Sequence, residues 1–178
     1  MKKIVILSAS LRPVSNSRLL AEAFRDGALS AGHSVELISL RGKKIGYCTG
    51  CMACAQRGSC VIRDDAVELE EKVVSADVVV WATPVYYHQM SGIMKTLMDR
   101  LNPMYPKERS FRDVYVLATA ADTTEEQFEH VAGGVQAWVD NFPEVRYAGG
   151  LFCGGVDAPG ELRDDPRLKD AYEMGKNI

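Results

Sequence analysis

No apolar stretch in the chain approaches the ~18 residues that a membrane-spanning helix needs, so no such helix is expected. Lysine and arginine never run together for more than two or three positions, and the net charge is -3. The electrostatic footprint of a nucleic-acid binder is therefore missing. No repeat, low-complexity tract or linker interrupts the sequence. A glycine fingerprint of the G-x-G-x-x-G kind is absent, as is a Walker lysine, which removes the dinucleotide-fold and P-loop readings. The start, Met1 to Leu7, has the flavour of an export signal, but Ser8 and Arg12 interrupt its apolar region too early. It reads instead as a buried strand. A reducing, cytoplasmic setting is then the expectation, and disulfides are a poor explanation for the five cysteines. The 178 residues suit one domain, residues 1–178, with a sizeable core.

What is present is an alternation of strand and helix signals. Lys3–Leu7 is a continuous apolar run, as a strand buried on both faces requires. Ser17–Ala31 places Leu20, Phe24 and Ala28 at helical spacing and stops at Gly32, a residue suited to a C-terminal cap. Val35–Leu40 gives a second strand, and Asp64 or Asp65 caps a helix running to about Ser75. Asp77–Thr83 is a third strand, rich in β-branched residues, followed by a helix over Ser91–Leu101. Asn102–Phe111 contains two prolines and several charges and is expected to be a surface excursion. Val114–Ala120 is the fourth strand. Thr123 and Thr124 each stand three residues before Glu126 and Gln127, the spacing of a capping box, for a helix ending near Asn141. Tyr147–Cys153 is the fifth strand and Pro166–Gly175 a closing helix. The pattern predicts an α/β three-layer sandwich around a five-stranded parallel sheet of order 2-1-3-4-5. In that order a ligand cleft opens at the switch point between strands one and three.

Two loops would border this cleft. The first, Ser8 to Ser17, offers Ser8, Ser10, Ser15, Asn16 and Ser17 as hydroxyl and amide donors, and Arg12 as a cation. It leads into a helix N-terminus, whose unpaired N–H groups and dipole favour an anion such as the terminal phosphate of a mononucleotide. An ordinary serine cap would look the same in isolation. The second loop, Thr83-Pro84-Val85-Tyr86-Tyr87-His88, combines a stiff turn with two tyrosines able to border a flat aromatic ring, though a packed turn would also use them. His88 beside it is expected to be an exposed loop histidine. The loop Thr119–Thr124 falls on the same edge as a third wall.

Taken together, these segments resemble the NAD(P)H-dependent FMN reductase and iron-sulfur flavoprotein group of flavodoxin-like proteins. The resemblance is carried by Ser10-x-Arg12 with Asn16-Ser17, by Thr83-Pro84-Val85-Tyr86-Tyr87, and by Ser91-Gly92 leading to Lys95 and Asp99-Arg100. The segment ending Cys60-Val61-Ile62-Arg63-Asp64-Asp65 is similar too. The likeness covers roughly the first two thirds of the chain. It implies an FMN phosphate held by Ser10, Arg12, Asn16 and Ser17, and an isoalloxazine bordered by Pro84 to Tyr87. Ala9 and Leu11 stand where the group usually has glycine and proline, and Ala120-Ala121-Asp122-Thr123-Thr124 replaces a glycine-containing loop.

Four of the five cysteines cluster as Cys48-x-x-Cys51-x-x-Cys54, with Cys60 after five intervening residues. Three thiolates at such gaps can wrap one corner of an iron-sulfur cube, and a fourth nearby can close it, which makes these residues candidate ligands of a [4Fe-4S] cluster. Zinc sites usually split their ligands into two separated pairs. A redox dithiol at Cys51-x-x-Cys54 lacks, on the sequence, the helix N-terminus that lowers a thiol pKa. Free thiols remain the plain alternative. Cys153, within a strand, is expected to be a small buried hydrophobe.

The expected activity is that of an FMN oxidoreductase drawing electrons from NAD(P)H and passing them to a small-molecule or protein acceptor. The alternative is an electron carrier using FMN with the cluster. In either case the flavin carries the chemistry and no protein nucleophile or base is required. The resemblance also implies a homodimer or homotetramer.

Overall fold

The computed structural model describes residues 1–178. Its strands are β1 Lys3–Ser8, β2 Ser34–Ser39, β3 Val78–Tyr86, β4 Gln89–Met90, β5 Asp113–Thr119 and β6 Arg146–Cys153. The helices are α1 Asn16–Ser30, α2 Ala53–Arg57, α3 Asp65–Val74, α4 Gly92–Arg100, α5 Glu125–Val139 and α6 Arg167–Lys176. The parallel strands run in the order β2-β1-β3-β5-β6, the expected doubly wound flavodoxin-like arrangement. The sixth strand is an addition: β4 pairs antiparallel with the end of β3, Val85 opposite Met90 and Tyr86 opposite Gln89.

Strand alternation distributes the apolar residues between two layers. Val5, Leu7, Val79, Trp81, Val114 and Val116 pack toward α3, α4 and α5. Ile4, Ile6, Val78, Val80 and Leu117 pack toward α1 and α6. The α1–α6 contact is close at two glycines: a Cβ on Gly27 would run into the backbone of Tyr172, and one on Gly175 into the backbone of Phe24. Only hydrogen fits at either position.

Several local expectations are corrected. The segment Asn102–Phe111 is not a surface excursion throughout. Met104 and Phe111 are fully buried, and Phe111 stacks on Trp138 with centroids 6.0 Å apart. Its prolines sit in and beside a short 3-10 turn, Asn102–Met104, that turns the chain inward. The expected capping box does not form. Thr124 is the N-cap of α5 but its hydroxyl donates to Asp122 instead, and its backbone N–H donates to Asp122 Oδ1 at 2.7 Å. The earlier aspartate captures the threonine before it can turn to the helix. At α3 the cap is Asp64, which accepts from Ala66 N–H at 3.1 Å. Helix α1 starts at Asn16, capped by Ser15, one residue earlier than its apolar periodicity suggests.

Candidate functional site

The carboxyl ends of β1, β3 and β5 open into a cleft of about 160 Å3 lined by Ser10, Arg12, Ser15, Asn16, Pro84, Val85, Tyr86, Thr119, Ala120, Ala121, Val156 and Asp157. The serine loop forms one end. Ser15 Oγ accepts from Arg18 N–H at 3.3 Å, which fixes the first turn of α1. The backbone N–H groups of Ser15, Asn16 and Ser17 donate to no acceptor within the protein. Three donors at a helix N-terminus, at residues between 0% and 6% exposed, form a ready anion cradle. A phosphate fits this chemistry because it brings the acceptors that the cradle lacks.

The expected donors do not all reach the cleft. Ser8 is buried at the end of β1, where its carbonyl accepts from Leu40 N–H at 2.8 Å. The Ser17 hydroxyl, fully buried, lies 3.1 Å from Ser15 Oγ. Asn16 lines the cleft, but both ends of its amide are engaged: Nδ2 donates to Ala158 O at 3.0 Å and Oδ1 accepts from Leu162 N–H at 3.3 Å. The Arg12 guanidinium donates to the Asp157 carbonyl and lies 3.7 Å from its carboxylate. The segment after β6 is thus a wall of the site that the sequence did not disclose.

Pro84, Val85 and Tyr86 line the same cleft as Thr119, Ala120 and Ala121, with Pro84 beside Thr119 in the β3–β5 register. Thr83 is fully buried beneath; its hydroxyl donates to Pro84 O at 2.8 Å and accepts from Ser91 N–H at 3.0 Å. Ser91 Oγ in turn donates to Ala9 O at 3.2 Å, joining the two cleft loops. The second loop is therefore a β-hairpin. Its two tip residues, Tyr87 at φ 50° and His88 at φ 61°, adopt the left-handed conformation of a type I′ turn, a role usually given to asparagine and glycine. Tyr87 is 100% exposed and does not line the cleft. His88 packs near His130 of α5, ring centroids 5.8 Å apart.

The four clustered cysteines all line a second, smaller cavity, floored by Asp99, Arg100, Asn102 and Pro103. They are free thiols, and no three metal-ligating side chains gather at one point. The donor set nevertheless matches an iron-sulfur cluster in kind, four thiols facing one cavity. Helix α2 begins just beyond Cys51, contrary to the expectation that no helix start stands there. The Ala53 N–H, followed by the Thr49 hydroxyl, lowers the Cys51 thiol pKa below its ordinary value. The loop is held by Arg100, whose guanidinium is fully buried. It donates to Gly46 O at 2.8 Å, to Ile62 O at 3.0 Å and to both oxygens of Asp64 at 2.7 and 2.9 Å. Burial disfavours the Asp64 carboxylate, but Arg100 and the N–H groups of Gly46 and Ala66 outweigh that and hold its pKa below the usual range. Cys153, fully buried, has its thiol pushed up to about 11, first of all by desolvation.

The profile of the NADPH-dependent FMN reductase family matches residues 2–141. An iron-sulfur flavoprotein of Archaeoglobus fulgidus is 35% identical over 182 residues, spanning 100% of this chain and 79% of its own length. An iron-sulfur flavoprotein of Methanocaldococcus jannaschii is 31% identical over 186 residues, 99% of this chain and 95% of its own. Among solved structures, an NAD(P)H:quinone oxidoreductase from Methanothermobacter marburgensis superposes with a TM-score of 0.74 at 22% identity, covering 99% of this chain and 96% of that one. An azoreductase from Bacillus anthracis gives 0.73 at 17%, covering 100% of both chains. These two structures share the fold. The family match and the two relatives that align along the whole chain go further: the chain belongs to the NADPH-dependent FMN reductase family and is an oxidoreductase whose cofactor is FMN and whose electron donor is NAD(P)H.

Proposed function

We propose that the cleft at the ends of β1, β3 and β5 holds FMN, with its phosphate in the serine loop, and that the protein passes electrons from NAD(P)H to a small-molecule acceptor. The observation that carries this reading is the set of unpaired N–H groups on Ser15, Asn16 and Ser17, which call for an anion at one end of the cleft. Ser10 supplies a hydroxyl there, and Arg12 a cation within reach of the same opening. Pro84, Val85 and Tyr86 would border one side of the ring and Thr119 to Ala121 the other. Bound there, FMN would supply the redox chemistry that links the nicotinamide to the acceptor. The protein's part is to anchor the phosphate and to leave the ring open to a partner molecule at the exposed mouth beside Tyr86, which is 49% exposed. Thr83 and Tyr87 act at a distance, one as a buried tie and the other as a hairpin tip. Anaerobic addition of NADPH or NADH to FMN-loaded protein tests the activity: rapid bleaching of the flavin is expected, and a flavin left oxidised by both donors would contradict it.

A second reading, an electron carrier, is favoured by one specific observation. Arg41, Lys44, Arg57 and Arg63 lie within or beside the cysteine segment in sequence, all exposed and none in an ion pair, in a chain whose net charge is -3. Exposed, unpaired cations near the cysteines suit an acidic redox partner. Cys48, Cys51, Cys54 and Cys60 would hold a [4Fe-4S] cluster, which supplies one-electron transfer. About four irons per chain in anaerobically purified protein would support this reading, and an iron-free flavoprotein would remove it.

In this reading the protein acts as one domain over residues 1–178, in the cytoplasm, as a homodimer or homotetramer.

A further inference from the structure

The segment that follows β6 crosses back over the cleft as a short strap. Val156 N–H donates to Ala120 O at 2.9 Å, and Asn16 pins Ala158 and Leu162 to the start of α1. The N–H groups of Asp157 and Ala158 both donate to Glu161 Oε2, at 2.8 and 2.9 Å. The strap is therefore anchored at both ends and internally braced. It places the Asp157 carboxylate, 81% exposed at its side chain, on the rim of the cradle and against Arg12. A carboxylate is the wrong charge for a phosphate site, and it occupies the one cation that the serine loop provides.

We propose that Asp157 sets how strongly the cleft favours a phosphorylated flavin over the unphosphorylated one, by competing with the phosphate for Arg12. The inference rests on the reading that the FMN phosphate sits in the serine loop. An arriving dianion must draw Arg12 from Asp157, or share it, and it feels the carboxylate as a like charge. A flavin ending in a hydroxyl meets neither effect. Asp157 thus lowers the affinity for FMN while leaving riboflavin unaffected. Because both side chains are partly solvated, the effect is modest and screened by salt.

The test is a fluorescence titration of apoprotein with FMN and with riboflavin, for the unaltered chain, Asp157→Asn and Arg12→Ala. Asparagine keeps the size of the side chain and leaves the backbone carbonyl contact with Arg12 in place. The expected result is FMN binding tightened roughly two- to fivefold in Asp157→Asn, the range an exposed charge pair is worth, with riboflavin unchanged. The gain should shrink at high salt, and Arg12→Ala should weaken FMN alone. Weaker binding of both flavins by Asp157→Asn would overturn the proposal, since Asp157 would then be accepting from the ribityl hydroxyls. No change in Asp157→Asn beside selective loss of FMN in Arg12→Ala would also overturn it, while leaving the phosphate reading standing. If neither variant distinguished FMN from riboflavin, the phosphate reading itself would fall and the proposal with it.

Discussion

Arg100 and Asp64 form a two-pronged ion pair at 2.7 and 2.9 Å, with the Arg100 side chain completely removed from solvent. One pair thereby ties α4 to the N-cap of α3 and to both ends of the cysteine segment, through Gly46 and Ile62. Arg100→Met leaves a carboxylate without its cation, and the cost should be about 3–5 kcal/mol, read as a lowered thermal midpoint. A melting temperature within a degree or so of the unaltered protein would show that the pair carries little.

The same pair predicts a pH dependence. The Asp64 pKa is depressed on folding, so its contribution is fully present above the unfolded value of about 3.9. It is lost as pH falls through the lower folded value. Acid titration of stability should therefore show less loss in Asp64→Asn than in the unaltered protein across that low-pH window. Parallel acid profiles would contradict the assignment.

The α1–α6 crossing gives a prediction of opposite sign to helix propensity. Alanine is favoured over glycine within a helix by about 1 kcal/mol. At Gly27 and Gly175, however, the new methyl would meet backbone atoms of the facing helix, which cannot rotate away. Gly27→Ala and Gly175→Ala should each destabilise by about 1–3 kcal/mol in urea titration, the usual range for overpacking. A stabilised variant would mean the helices can part without loss.

The hairpin tip stores strain. Tyr87 and His88 hold left-handed conformations that cost about 1–2 kcal/mol per residue outside glycine. Tyr87→Asn with His88→Gly supplies the pair that such a turn prefers, and since Tyr87 is wholly exposed, little packing is lost. The double variant should melt higher. If it melts lower, the contact of His88 with His130 matters more than the backbone.

Thiol chemistry should separate the cysteines in cluster-free protein. Cys51, exposed and with a lowered pKa, is expected to react first with a neutral disulfide reagent near pH 7. Cys153, buried and raised to about 11, should react only after unfolding. Mass mapping of the modified peptides against time checks the order, and early labelling of Cys153 would contradict it.

The sheet was legible because its strands are continuous apolar or β-branched runs, Val78-Val79-Val80 among them, that only a doubly covered strand can bury. The serine loop was legible through its hydroxyls and the helix that follows. The β3–β4 hairpin was not, since Tyr87-His88 carries none of the usual turn chemistry. Helix α2 has five residues, too few for periodicity to register. Asp157 was invisible for a different reason. Its position at Arg12 depends on a chain reversal fixed by contacts such as Asn16 to Ala158, 142 residues apart, and no local pattern reports that. The Arg100–Asp64 pair, 36 residues apart, escaped for the same cause: Asp64 showed only its cap.

A crystal structure of the FMN-loaded protein tests the central claim most directly. The account predicts the flavin phosphate within hydrogen-bonding distance of the Asn16 and Ser17 N–H groups, and the ring between Val85–Tyr86 and Ala120–Ala121. A flavin bound elsewhere, for instance against the cysteine cavity, or a phosphate turned away from the start of α1, would contradict it.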